Sequence, residues 1–549
     1  MGCNSDKTIS QNFNKSYLET DGEMLLFSYH YDLRKKYSFV RIINHGAYGK
    51  VKLYKDKTFK GMEFAIKTIE KNLLNKKKKN EVVHEINTLN QMDHPCIVIY
   101  YATIEDHNYY HVLMEYLCNK SVSYILNKEN KINLSSFKYI IYQTLSAIGY
   151  IHNMNVIHRD IKPENIIFVN DNGKFDIKVI DFGLSINTDY KGSNSAGTPL
   201  YMSPENIEGY VTTKSDIWSL GVIIYYYFYE KYPYEDDEKD KLLDKIVNDE
   251  IDFSNPVEKI CEDDFDLLKK MLDKDYKKRI DAVSALVHPF FQNIYNEFDA
   301  QDNIQHYLDE FFNENTFQLI KKYVTSNIIK KTYLYIYTML SPFEKREYYR
   351  KMFMALDDYF NNYRGYLKSK EIFSEFLKRG IATEEDAPFF IFINCYETNN
   401  SKQIIEKKSK EKILTKQNGR KLIKRVSLIN KVNESNDFGI IQYTVFLSFF
   451  YLNEIDKFDK DINEKLLYIF QLFSDSDTFI ENDKNFTAST YENDYSVEFF
   501  MTKQTFENFL FKYIMPFQFA VDEINYFFDK HPENIDFNKF KNIILSDDN

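Results

Sequence analysis

The chain has 549 residues, 44% of them hydrophobic and 28% charged, with a formal net charge of −11. That length suits roughly three or four domains of an ordinary folded, soluble protein, and the acidic balance argues against general nucleic-acid binding, which wants a basic face. Cys3, Cys96, Cys118, Cys261 and Cys395 are scattered without a CxxC pair, which argues against a disulfide framework or structural zinc and fits a reducing compartment.

The chain opens Met1-Gly2-Cys3, a myristoylation glycine beside a palmitoylation candidate. The acylation rule wants Ser or Thr at position 6, where Asp6 follows Ser5, so an ordinary disordered start is the alternative. Residues 1–36 are polar and are expected to form a flexible arm. Short apolar runs with Gly-containing turns from Tyr37 to Phe64 predict strands. Apolar residues at helical spacing predict a helix over Glu81–Met92, and the pattern stays mostly helical to Phe291. The longest apolar run, Ile217–Tyr229, is too short to span a bilayer. No secretory signal opens the chain, so a cytoplasmic protein is expected, with membrane association through Gly2 and Cys3 as the variant. Residues 292–345 read as junction helices. From 346 to 549 amphipathic helices alternate with short loops. A basic run at 398–424 and an acidic, Asn-rich run at 475–496 interrupt them as expected mobile loops.

Chemistry gathers between residues 44 and 205. In Asn44-His-Gly-Ala-Tyr-Gly-Lys-Val51, Gly46 and Gly49 make a turn between strands whose backbone N–H groups can approach nucleotide phosphates. Lys67, in Phe64-Ala-Ile-Lys67, is a strand lysine able to hold the α- and β-phosphates, and Glu85 on the next helix could pair with it. Ile157-His-Arg-Asp-Ile-Lys-Pro-Glu-Asn165 and Asp181-Phe-Gly183 follow, then Gly197-Thr-Pro-Leu-Tyr-Met-Ser-Pro-Glu205, Asp216-Ile-Trp-Ser-Leu-Gly221 and Arg279.

In this order these motifs resemble eukaryotic protein kinases over about residues 37–291. The resemblance implies a two-lobed α+β fold and ATP- and Mg²⁺-dependent transfer of phosphate to protein Ser/Thr hydroxyls. It casts Asp160 as the catalytic aspartate, Lys162 as the γ-phosphate lysine, and Asn165 and Asp181 as Mg²⁺ ligands. Thr198 bridges Asp160 and Lys162, and Lys67 with Glu85 completes the catalytic set. Ile43, Asn44, Gly46, Gly49, Val51, Ala65, Met114, Glu115, Leu117 and Glu164 fall on nucleotide-site positions, with Met114 as gatekeeper. Arg279 is the expected partner of Glu205, and Ser203 replaces the usual alanine.

Some positions depart from that pattern. Asn44 replaces the first phosphate-loop glycine; asparagine tolerates positive φ, so weakened rather than lost ATP binding is expected. Asn119-Lys-Ser121 stands where relatives often carry Gly-Gly-Glu, which puts a preference for upstream arginine in doubt, although Glu164 could supply one acidic contact. Phosphorylation of Ser193 or Ser195 could supply an anionic partner for Arg159; unmodified serines are the alternative.

Asn327 to Glu347 resembles the junction of calcium-dependent protein kinases of plants and protists, in which a junction helix blocks the kinase and four EF-hands release it. An all-α EF-hand-like domain is therefore expected, but its loops are poor in ligands. With Gly365 at position 6 and Glu371 at position 12 of the first loop, Phe360, Asn362 and Arg364 fall where oxygens belong. Asp357, with Asp358 beside it, could join only through an enlarged loop. The second loop (Gly439, Ile441) ends on Val445, the third resumes at Met501 after an insertion, and the fourth, Asp529–Phe540, lacks the glycine. Weak or lost Ca²⁺ binding is expected, with Asp357, Asn362 and Glu371 as the residual candidates. Lys424-Arg-Val-Ser427 offers a phosphorylation site; an unmodified loop is the alternative. An active kinase with a docking or inhibitory module, a calcium-activated kinase using one unusual site, and a catalytically dead scaffold remain the readings. Partners are protein substrates, and a monomer is expected.

Overall fold

The computed structural model describes residues 29–30, 33–46, 49–57, 62–118, 120–126, 131–170, 175–188, 195–292, 304–360, 363, 365–391, 440–455, 466, 501, 503, 506, 521–532 and 535–545. Gly2, Cys3, Ser193, Asn362, Arg364, Ser427 and both insertions lie outside them.

Six strands build the first lobe: β1 (Tyr29–His30), β2 (Tyr37–Gly46), β3 (Gly49–Asp56), β4 (Glu63–Glu70), β5 (Tyr100–Glu105) and β6 (Tyr109–Glu115), in sheet order β1-β5-β6-β4-β3-β2. Central β4 is the most continuously buried, with Phe64, Ile66 and Ile69 in the core. Residues 29–30 and 33–36 are not the free arm expected from their polarity. Tyr29 and His30 pair in parallel with Ile104 and Glu105, and one helical turn, Leu33–Lys36, buries Leu33 beside Tyr37, Phe64 and Leu113. A single apolar anchor with main-chain pairing suffices to hold a short polar segment, and hydropathy periodicity cannot register it.

The second lobe packs helix Leu134–Asn153 against helix Thr213–Tyr229. The latter is apolar on nearly every side, as a helix enclosed in a core must be. Among the described residues no helix is long and apolar enough to cross a membrane. Two antiparallel strand pairs complete this lobe: β7 (Val156–Ile157) with β10 (Ile186–Asn187), and the hairpin of β8 (Ile166–Phe168) with β9 (Ile177–Val179).

Residues from 304 onward form a second core of helices rich in Phe and Tyr. Here β11 (Tyr366–Lys368) pairs antiparallel with β12 (Ile440–Gln442), placing Leu367 opposite Ile441. Met501 and Ile535 make a matching antiparallel bridge, with N–H···O distances of 2.8 and 3.0 Å. The first pairing joins the position-8 residues of the first two loops, and the second links the third loop to the fourth in the same way, as paired helix–loop–helix units require.

Helix Ile328–Leu340, cast by the resemblance as a kinase-blocking junction, is buried in this second core. It meets the first lobe at β5, where the Tyr101 hydroxyl donates to the Met339 carbonyl at 3.4 Å. Helix Phe343–Tyr359 then runs against the first core, to which Met354 and Tyr363 belong. Gly149 makes room for this approach: a Cβ there would meet the Tyr363 carbonyl at 3.3 Å.

Candidate active site

The strand register assembles the roof of the site. Val51 lies opposite Lys67 on β3 and β4, and Ala65 lies opposite Met114 on β4 and β6. The two-residue β2–β3 turn closes with Gly46 opposite Gly49. Gly49 is required there: a Cβ would sit within bonding range of the Thr68 carbonyl. Asn44 does not adopt the positive φ anticipated for it. It pairs with Val51 in extended structure, just after a bulge that leaves out Ile43, and its Oδ1 accepts the His45 N–H at 2.8 Å. That N–H is then no longer open to a phosphate oxygen. Glu115 and Leu117 are buried at the chain crossing between the lobes.

Lys67 Nζ lies 2.5 Å from Glu85 Oε1 and 3.4 Å from Asp181 Oδ1. Burial disfavours the ammonium, but the two carboxylates outweigh it and raise the lysine's pKa. Burial likewise opposes ionisation of Asp181, yet Lys67, His158 and the Gly183 N–H hold its pKa below the usual carboxylate value. Both groups are therefore charged at neutral pH.

Across the cleft, Asp160, Lys162 and Thr198 form a closed triangle. The Thr198 hydroxyl donates to Asp160 Oδ1 at 2.8 Å and accepts from Lys162 Nζ at 2.9 Å. Lys162 lies 2.7 Å from Asp160 Oδ2. Asn165 Nδ2 donates to Asp160 Oδ2 and to its carbonyl at 3.0 and 2.8 Å, which leaves Oδ1 as the ligating end of the amide. A carboxylate at Asp181 and an amide oxygen at Asn165 are the hard donors that Mg²⁺ prefers, so these residues fit the metal that the resemblance implies. Glu164 is exposed beside the same turn.

Strained backbone supports the loop. Arg159 and Asp181 have φ of 67° and 64°, a region costly for residues with a Cβ. Asp216 holds the first of these in place: its carboxylate accepts the N–H groups of His158 and Arg159 at 2.9 and 2.8 Å, and meets His152 Nε2 at 2.8 Å. Glu205 and Arg279 form a buried bidentate pair at 2.7 and 2.9 Å.

The two described calcium candidates, Glu371 and Asp357, are each engaged within the chain. Glu371 is 2.9 Å from Lys368 Nζ, and buried Asp357 accepts the Gly365 N–H at 3.2 Å. Gly365, at φ +68°, is wedged against the two lobes: a Cβ there would collide with the His94 ring and lie 2.7 Å from Tyr150. Among the described residues no three His, Cys, Asp or Glu side chains cluster as a metal site would need.

Sequence reasoning missed the contacts behind the cleft. Arg350 is fully buried and reaches Asp176, Gln143, Cys96 and Pro95. Thr444 gives its N–H and hydroxyl to Asp93 at 3.0 and 2.6 Å. The local signal was faint: arginines four apart on one helix, which usually denote a solvated face.

This fold and this charged cleft define a protein kinase, and the general model of the protein kinase domain matches residues 37–291. The chain is 33% identical over 353 residues (63% of it, 22% of the relative) to calcium-dependent protein kinase 6 of Plasmodium berghei. It is 31% identical over 360 residues (64% of it, 66% of the relative) to calcium-dependent protein kinase 4 of that organism, and 30% identical over 407 residues (72% of it, 68% of the relative) to its calcium-dependent protein kinase 5. The chain belongs to the calcium-dependent protein kinase family. It spans less than two thirds of the length of the first two relatives.

Proposed function

We propose that the chain is an active serine/threonine protein kinase whose C-terminal half is docked without calcium. The carrying observation is the triangle of Asp160, Lys162 and Thr198 at 2.7–2.9 Å. In this reading Asp160 orients the protein substrate's hydroxyl and accepts its proton, while Lys162 meets the γ-phosphate of ATP. Lys67, held by Glu85, positions the α- and β-phosphates. Asn165 and Asp181 would hold Mg²⁺, which when bound offsets charge on the transferring phosphoryl group. Asn44 lowers nucleotide affinity by occupying one N–H of the turn.

Two observations support the calcium-independent part. Glu371 and Asp357 are bonded within the chain, and the docking contacts are side-chain ion pairs and hydrogen bonds. Transfer from labelled ATP to a serine-containing protein substrate tests the first part. Asp160→Asn is expected to lower kcat by about 10²–10⁴-fold, and a wild type without transfer in any condition would end the reading. The second part is tested by assaying with calcium or a chelator: equal rates are expected, and a strict calcium requirement would refute it.

A further inference from the structure

The two residues that fit Mg²⁺ flank one small hairpin. Asn165 immediately precedes β8, and Asp181 follows β9 by two residues. The hairpin sets their spacing through the pairs Ile166–Val179 and Phe168–Ile177, and the Ile180 N–H donates to the Asn165 carbonyl at 2.9 Å. Whatever fixes β9 therefore fixes Asp181 relative to Asn165.

Strand β9 is gripped from outside the kinase domain. Arg350 Nη1 donates to Asp176 Oδ1 at 2.6 Å, one residue before the strand begins. Its Nη2 donates to Gln143 Oε1 at 2.6 Å, and that oxygen also accepts the Ile177 N–H at 3.2 Å. Within β9, Lys178 Nζ lies 2.6 Å from Glu115 Oε1 and donates to the Ile97 carbonyl at 2.9 Å. Arg346, one helical turn before Arg350, lies 3.7 Å from the other Glu115 oxygen. Both arginines project from helix Phe343–Tyr359, and Arg350, Asp176, Lys178 and Glu115 are all buried. Burying this many charges is costly and is disproportionate for a surface that only had to stick; an apolar face would dock as well.

We propose that Arg350, assisted by Arg346, is a positioning residue for the metal site: it fixes the β8–β9 hairpin and with it the separation of Asn165 and Asp181. The C-terminal half then acts on the cleft through metal affinity, from behind and without touching substrate. This rests on reading the cleft as a Mg²⁺–ATP site, so its test uses equilibrium binding as well as turnover.

ATP binding to the full chain is measured by calorimetry with Mg²⁺ and with a chelator, for the wild type, Arg350→Met, the double variant Arg350→Met/Asp176→Asn, and Arg346→Met. The double variant removes both charges of the pair, so no uncompensated carboxylate is left to prevent folding. In that variant the Mg²⁺ half-saturation is expected to rise about tenfold, the effect of removing an outer-shell support, with metal-free ATP affinity retained. Arg346→Met should move it less, given its longer contact. A folded double variant with unchanged Mg²⁺ dependence, or one losing both affinities in parallel, would overturn the positioning role. A wild type that binds Mg²⁺–ATP but never transfers phosphate would sink the kinase reading instead, and the binding comparison would still decide the positioning role.

Discussion

At Asp216 a single side chain holds the active loop against its own strain, and at Glu205 and Arg279 a buried ion pair ties residues far apart in sequence. Asp216 is fully buried, which by itself opposes ionisation. The His152 contact, with His158 and its N–H, outweighs that burial and lowers the pKa. A carboxylate with a depressed folded pKa contributes stability that is complete above the unfolded value of about 3.9 and is lost as pH falls through the folded value. Acid unfolding of the wild type should therefore steepen below about pH 4, and Asp216→Asn should flatten that limb in a pH series of urea melts. An unaltered acid limb would show that the carboxylate's charge does not matter. Arg279 differs because both its partner oxygens are buried with it. Arg279→Met leaves Glu205 charged and unpaired, at an expected cost of about 3–5 kcal/mol, visible as a lower urea midpoint; a cost under about 1 kcal/mol would place the pair among surface bridges.

At the scale of elements, the first calcium-type loop meets the kinase lobes at Gly365. Gly365 keeps the left-handed conformation that such a loop needs, and the space a Cβ there would take is filled by His94 and Tyr150. Gly365→Ala must both enter a positive-φ region and displace two stacked rings, 5.1 Å apart. Overpacking alone costs about 1–3 kcal/mol, so the full chain should lose melting temperature and Arg350 should lose its seat. An alanine variant as stable as wild type would mean that the loop does not press on the kinase. The sequence made this loop's frame legible through Gly365, Leu367 and Glu371, because spacing along one segment is local information. It made the catalytic residues legible for the same reason: Asp160, Lys162 and Asn165 lie within six positions. The docking partners were not legible. Arg350 meets Asp176 and Gln143 across 174 and 207 residues, and Thr444 meets Asp93 across 351. Each reads locally as one more polar residue on an amphipathic helix, and only tertiary packing tells a buried arginine from a solvated one.

For the whole molecule, the question is what energy keeps the two halves together. The interface spans both lobes: Tyr101 on the sheet, Asp93 and His94 after the first-lobe helix, and Gln143, Tyr150 and Asp176 beneath. Its apolar part is continuous with the kinase core, since Met354 and Tyr363 are buried within it. Undocking would expose those groups, take Arg350 away from Asp176 and leave the Asp93 carboxylate without Thr444, so the docked form should dominate whatever the calcium level. Hydrogen exchange of the full chain makes this measurable. The N–H groups of Cys96, Ile97 and Ile99, bonded to His94 and Glu115 side chains and to the His94 carbonyl, should exchange equally slowly with a chelator and with about 1 mM calcium, the weak end of EF-hand affinity. Arg350→Met/Asp176→Asn should accelerate them in both conditions alike. Protection that rises only when calcium is added would mean that docking is switched by the ion, and the calcium-independent reading of this kinase would fall with it.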